Sequence, residues 1–255
     1  MLRVALVQMR CEKARIQENL AVTRRYIEQA SGEGSEVICF PEMSITGYAN
    51  PIRMPEAVVR LDGDAVEVLV SFTRNTPATV IAGVIEQNPA GLPFITQVVA
   101  RGGELVGYYR KRNIAPDEVE FFAPGTDTAV FEHDGVRFGL AVCADIDEPK
   151  VFADCAASGA RVIFEAAAPG LHGEQEKRNW QTGYGWWRNE CRTKLAAYAR
   201  EYGVHIAVAT QAGRTVDEDF PGGGYVFDPG GTTVAETGDW QEGLLVADLP
   251  VTRRG

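Results

Sequence analysis

Residues Val136 to Pro149 read VRFGLAVCADIDEP, and how this stretch is taken decides the fold. Val136 to Val142 is mostly apolar, and Cys143 then leads at once into Ala144, Asp145, Ile146, Asp147, Glu148 and Pro149. The pattern predicts a buried strand breaking into a turn, then a helix with Asp147 near the N-cap and Pro149 near the first helical position. A thiol at such a junction lies at a strand's carboxyl end and close to a helix N-terminus, and both features favour a thiolate. Taken alone, a cysteine ending a buried strand is ordinarily a core residue. The rest of the chain argues for more.

Upstream, Leu2 to Met9 reads as a first strand, and Ile16, Leu20, Thr23, Ile27 and Ala30 recur at helical spacing. Val37 to Phe40 is a short buried strand ending in Pro41-Glu42-Met43. Ala65, Leu69 and Phe72 mark a second helix. Strands are predicted at Thr79 to Glu86, Pro93 to Ala100 and, after the turn Arg101-Gly102-Gly103-Glu104, Leu105 to Tyr109. That last strand delivers Arg110-Lys111-Arg112. Ala129 to Glu132 should pair through Asp134-Gly135 with the strand before Cys143.

Downstream, a helix to about Ser158 precedes a strand from Arg161 to Phe164. A loop is expected from Ala166 to about Gly185, then a helix with Trp187, Cys191, Leu195, Tyr198 and Tyr202 on one face. Val204 to Thr210 and three short terminal strands complete the pattern. Interleaved helices and hairpins predict an α/β fold of mixed sheets covered by helices, as one domain over residues 1–255.

Composition narrows the function. No apolar run reaches the roughly 18 residues of a membrane span, and MLRVALVQMRCEK turns polar too early for a signal peptide. Five cysteines without a CxxC pair or metal-ligand spacing predict reduced thiols, a cytoplasmic location and no metal. A formal charge of −10 argues against nucleic acid and anionic membrane as partners.

Glu42, Lys111 and Cys143 share a position: each lies just beyond the end of an apolar strand. Ligands of open α/β sheets bind outside the carboxyl ends of strands, so the three converge if their strands run the same way. An acid, an amine and a thiol suit acyl transfer. The Lys111 ammonium would favour the thiolate against the nearby Asp145, Asp147 and Glu148, and Glu42 would move the proton.

These blocks carry a specific resemblance. LRVALVQM, FPEMSITGY, YYRKRNIAPDEVEFFAPG and GLAVCADIDEP, with FPGGGYVFDPGG downstream, resemble in order the segments of the nitrilase (carbon–nitrogen hydrolase) superfamily, over nearly the whole chain. The resemblance implies a four-layer α-β-β-α sandwich and a Glu42–Lys111–Cys143 triad. It also implies a second glutamate, for which Glu118 takes the place and Glu120 is the alternative. Lys111 and the Ala144 backbone N–H would form the oxyanion hole. Tyr48, Trp180, Tyr184 and Trp186 are candidate pocket-lining residues. No cofactor is implied, the substrate is a small amide, ureido compound or nitrile, and the assembly is a homodimer or larger, joined through the helices after Cys143 and before Val204. Asn113, Ala144, Thr210 and Gly224 depart from the family's frequent residues and bear on substrate identity. Two other readings stay open: a Cys–His hydrolase using His133, His172 or His205, and a non-catalytic scaffold.

Overall fold

Alternation along the first strand sets up the layers. In β1 (Leu2–Gln8), Leu2, Val4 and Leu6 enter one apolar cluster while Ala5 and Val7 enter another. A strand apolar on both faces is covered on both. The same split runs through β2 (Val37–Cys39) and β4 (Thr79–Glu86). Val37, Cys39, Ile81 and Ile85 point one way; Ile38, Val80, Ala82 and Val84 point the other. The second set is covered by α1 (Ile16–Gly32) and α2 (Asp64–Ser71) through Leu20, Ile27, Val66 and Leu69. The first set meets a second sheet. This is a computed structural model, and it describes residues 1–170, 180–238 and 241–253.

The first sheet adds β3 (Val58–Val59), β5 (Phe94–Arg101), β6 (Glu104–Arg110) and β15 (Gly243–Leu249), in the order β15-β1-β2-β4-β5-β6 with β3 against β4. β1, β2 and β4 are parallel, and two antiparallel steps through β5 return β6 to the direction of β2. The segments carrying Glu42 and Lys111 therefore leave the same end of one sheet. The second sheet consists of β7 (Val130–His133), β8 (Val136–Val142), β9 (Val162–Ala167), β10 (His205–Thr210), β13 (Tyr225–Phe227) and β14 (Thr233–Glu236), in the order β14-β13-β10-β9-β8-β7. A small hairpin of β11 (Ala212–Arg214) and β12 (Asp219–Pro221) stands apart.

The outer face of the second sheet carries α3 (Pro149–Ala157), α4 (Trp180–Glu190), a π-helical turn (Cys191–Leu195) and α5 (Ala196–Tyr202). Gly139 explains how closely α3 lies: a Cβ there would meet the Cys155 sulfur at 2.6 Å. The result is the expected α-β-β-α layering. β7 and β8 pair through Asp134 and Gly135, both with positive φ, the geometry of a tight type I′ hairpin. Among the described residues no helix is long and apolar enough to cross a membrane.

Two local expectations fail. α4 already begins at Trp180, so the loop expected to reach Gly185 is shorter; residues 171–179 lie outside the described residues. Cys143 does not lead directly into α3 but opens a separate 3₁₀ turn, Cys143–Asp147. The N-cap of α3 is Glu148, whose side chain accepts from the Lys150 N–H at 3.2 Å, while Asp147 pairs with Lys194 at 2.5 Å. The long acidic run offered several caps, and Pro149 at the first position selects the residue before it.

Candidate active site

Glu42 sits on a loop that is held from below. The Gln97 side-chain amide donates to the Pro41 carbonyl at 3.3 Å and that of Gln211 to the Glu42 carbonyl at 2.9 Å. Gly83 of β4 receives the loop: its N–H donates to Ser44 Oγ at 3.0 Å and its carbonyl accepts from Ile45 at 2.9 Å. A Cβ at Gly83 would stand 2.2 Å from the Met43 nitrogen, so only glycine admits this approach. Met43 itself has φ +49°. Lys111 continues β6, its N–H bonded to the Ile95 carbonyl at 2.9 Å. Cys143 follows β8 with φ +46°, a left-handed conformation that costs a non-glycine residue on the order of 1 kcal/mol or more.

The three segments converge. Lys111 Nζ donates to Glu42 Oε1 at 2.9 Å and to Glu118 Oε2 at 2.7 Å, with all three side chains buried. Of the two candidate second glutamates, Glu118 is buried against Lys111 and Glu120 is exposed. Glu118 also accepts from the Tyr48 hydroxyl at 2.6 Å and the Ala115 N–H at 3.1 Å. Tyr48 packs edge-on against Phe220 of β12, ring centres 5.9 Å apart. The other Glu42 oxygen accepts from the Ala168 N–H at 3.1 Å.

Electrostatics assigns the protons. Burial works against charge on Lys111, but Glu42 and Glu118 outweigh it and hold the ammonium well above the ordinary lysine range. Burial pushes Glu42 up to about 7, against the pull of Lys111 and of hydrogen bonding with Lys111 and Cys143. Burial and the Glu42 charge raise the Cys143 thiol well above its usual value, and Lys111 opposes them without winning. The thiolate anticipated from strand end and helix terminus is therefore not the resting state. The resting pair is a thiol beside a carboxyl that titrates near neutrality.

Asp145, which enters the sequence argument only as an unwelcome charge, is the joint between the lysine and cysteine segments. One of its carboxylate oxygens accepts from the N–H groups of Arg112 and Asn113, at 3.2 and 2.8 Å. The other accepts from the Val142 N–H at 2.9 Å and the Tyr109 hydroxyl at 2.8 Å. Asn113 adds a bond from its side-chain amide to the Ala144 carbonyl at 2.6 Å. Asp145, Gln97 and Gln211 escape sequence reading because most of their partners are backbone groups of distant segments, which no side-chain spacing encodes.

The remaining candidates divide. Tyr48 reaches the cluster; α4 carries Trp180, Tyr184 and Trp186. Tyr184 turns its hydroxyl to the Thr237 carbonyl at 2.8 Å, and Trp186 lies against Trp187 with ring centres 6.2 Å apart. Thr210 meets Gln8 at 3.4 Å, and the Gly224 N–H donates to Thr237 at 2.7 Å. His133 pairs with Thr79 at 2.9 Å and His205 is buried within β10, so neither serves Cys143; His172 lies outside the described residues. Among the described residues, Glu36, His133 and Asp134 bring three ligand-type atoms together, but Arg253 and Arg101 already pair with the two acids.

Comparison with known proteins agrees with this arrangement. The carbon-nitrogen hydrolase family model matches residues 3–255. An (R)-stereoselective amidase from a Pseudomonas species is 25% identical over 93% of this chain and 81% of its own length. The glutamine-dependent NAD(+) synthetase of Thermotoga maritima is 25% identical over 97% of this chain, which spans only 42% of that protein's length. Among solved structures, a nitrilase-superfamily amidase from Nesterenkonia sp. AN1 superposes with a TM-score of 0.83 at 27% identity, covering 98% of this chain and 94% of that one. That structure is of a variant described with acrylamide added at the active-site cysteine.

Proposed function

Because the chain belongs to the carbon-nitrogen hydrolase family, we propose that it cleaves a non-peptide carbon–nitrogen bond, in an amide or N-carbamoyl substrate, through a thioester on Cys143. The observation that carries this reading is one lysine bonded to both Glu42 and Glu118 beside the Cys143 thiol. In the first step ionised Glu42 takes the thiol proton as the sulfur attacks the carbonyl carbon, and Lys111 with the Ala144 N–H receives the oxyanion. The carbon–nitrogen bond then breaks, Glu42 returns its proton to the leaving nitrogen, and ammonia or an amine departs from the thioester. Water, deprotonated by Glu42, attacks the thioester, and the acid leaves as the thiol is restored. Glu118 holds Lys111 and orients the substrate, with Tyr48 as the wall beside it. Residues 1–255 act as a single hydrolase domain, assembled as a cytoplasmic homodimer through α3 and α5.

Ammonia release from a panel of aliphatic amides, glutamine, N-carbamoyl amino acids and nitriles tests the reaction class, with Cys143→Ala as the control. Turnover of an amide or carbamoyl compound that vanishes in Cys143→Ala is expected. Turnover confined to nitriles selects the nitrilase alternative, and none with any substrate class, from a chain whose Cys143 is also inert to iodoacetamide, selects the scaffold. Because Glu42 must be ionised to start the cycle, kcat/KM should fall as pH drops through about 7.

A further inference from the structure

The turn that carries Cys143 is strained. At φ +46° the cysteine holds a conformation that a non-glycine residue keeps only when its surroundings over-determine it. From the first sheet, the Asn113 side chain donates to the Ala144 carbonyl at 2.6 Å, and the Asp145 carboxylate accepts from the N–H groups of Arg112 and Asn113. Those contacts reach only the opening half of the Cys143–Asp147 turn. The closing half is met from the opposite side, by the helices over the second sheet.

α4, the π-helical turn and α5 follow one another from Trp180 to Tyr202. Their buried residues Trp187, Cys191, Leu195 and Ala199 recur every four positions. On an uninterrupted α-helix such a stripe drifts by about 40° per step, hence about 120° between Trp187 and Ala199. The wider π-helical turn takes up this drift and keeps the stripe on the sheet. The adjacent stripe of Glu190, Lys194, Tyr198 and Tyr202 is kept in line by the same means and stays half-buried.

That second stripe faces the Cys143 turn. Lys194 Nζ pairs with Asp147 at 2.5 Å, and the Tyr198 hydroxyl donates to the Ile146 carbonyl at 3.1 Å. The two contacts are unequal. Lys194 and Asp147 are 36% and 57% exposed, and an exposed ion pair contributes little. Ile146 is buried, so losing the hydroxyl deprives a buried carbonyl of its donor. The Tyr198 ring is itself fixed, with its centre 4.9 Å from that of Phe152 in α3 and 6.2 Å from that of Tyr202.

We propose that Tyr198 is a positioning residue for the nucleophile: it clamps the closing half of the Cys143 turn as Asn113 clamps the opening half, and the π-helical turn is what aims it. The inference rests on Cys143 being the nucleophile, but the clamp itself can be measured without substrate. Tyr198 acts through the turn, so its loss should misalign the sulfur and the Ala144 N–H together and leave substrate affinity nearly untouched.

The test is Tyr198→Phe, which keeps the ring on Phe152 and removes only the hydroxyl, beside Asn113→Ala and, as a control on the same stripe, Tyr202→Phe. Hydrogen–deuterium exchange read by peptide mass spectrometry follows the turn, and steady-state kinetics with the amide turned over fastest follows the consequence. In both Tyr198→Phe and Asn113→Ala the peptide spanning residues 142–148 should exchange about 5- to 10-fold faster, with β9 and β10 unchanged. In Tyr198→Phe kcat should fall about 10-fold while KM stays within about 2-fold of wild type. Tyr202→Phe should match wild type on both measures. Unchanged exchange of the 142–148 peptide in Tyr198→Phe overturns the proposal, as does faster exchange spread over the whole chain with kcat intact, or a loss of activity carried by KM. Because the exchange measurement needs no substrate, failure of the hydrolase panel leaves it independently readable.

Discussion

The two sides of Cys143 keep buried acids in different ways. On one side Glu42 and Glu118 share the Lys111 ammonium at 2.9 and 2.7 Å. On the other, Asp145 and Glu165 have no such cation. Asp145 is served instead by three backbone N–H groups and a tyrosine hydroxyl, and Glu165 is left without normal partners. An ion pair, a set of hydrogen bonds and neutralisation are the three ways a folded chain tolerates a buried carboxyl. Here all three occur on the strands and turns that meet at Cys143. In the proposed reaction Glu42 on the first side would move protons, while Asp145 on the second ties the Lys111 and Cys143 segments together.

The sharpest break of that contrast is Lys111→Met, which leaves the first pair of acids without their cation. Activity should fall about 10⁴-fold or more, and the fold should lose about 3–5 kcal/mol, read by kinetics and chemical denaturation. Little loss on either scale would mean that the lysine does not organise this side.

Asp145→Asn probes the other side. An amide keeps one acceptor oxygen and turns a donor toward two existing donors, so the lysine and cysteine segments should separate. A loss of roughly 10²–10³-fold in kcat with KM nearly unchanged is expected, because reacting groups misplaced by about 1 Å cost about 10²-fold. A change confined to KM would assign Asp145 to substrate binding instead.

Gly83→Ala perturbs the first side without touching an acid. Its Cβ would collide with the Met43 nitrogen, and the loop carrying Glu42 must move. About a 10²-fold loss of kcat/KM should accompany a lower Tm. Tyr48→Phe is the mildest case: it removes one hydrogen bond to Glu118, worth about 1 kcal/mol, and should reduce kcat/KM by about 10-fold or less.

The same division explains what could be read from the chain before its structure. The apolar stretches ending at Phe40, Tyr109 and Val142 are followed within two residues by Glu42, Lys111 and Cys143, and the parallel course of β2 and β6 brings the first two together as expected. The family resemblance offered Glu118, with Glu120 as the alternative, and of the two it is Glu118 that is buried and bonded to Lys111. The hydrogen-bonded side was not legible. Asp145 looks like one of several acids in a polar turn until Arg112 and Asn113 arrive from more than thirty residues upstream. Nor could the thiol's proton be foreseen: position promised a thiolate, but burial and the Glu42 charge exceed the effect of Lys111. Trp187 and Cys191 were correctly placed in the core by helical phase, whereas the start of α4 at Trp180 was obscured by the glycines at 183 and 185.

The covalent intermediate is the point on which the account turns. Rapid quenching of the enzyme with the amide it turns over fastest, followed by intact-mass and peptide mass spectrometry, measures it directly. The account predicts a mass increase equal to the acyl group, confined to the peptide bearing Cys143, and little or none in Glu42→Gln, where the thiol proton has no acceptor. Ammonia released with no adduct on any cysteine, or an adduct on Cys39 or Cys191 in place of Cys143, would contradict it.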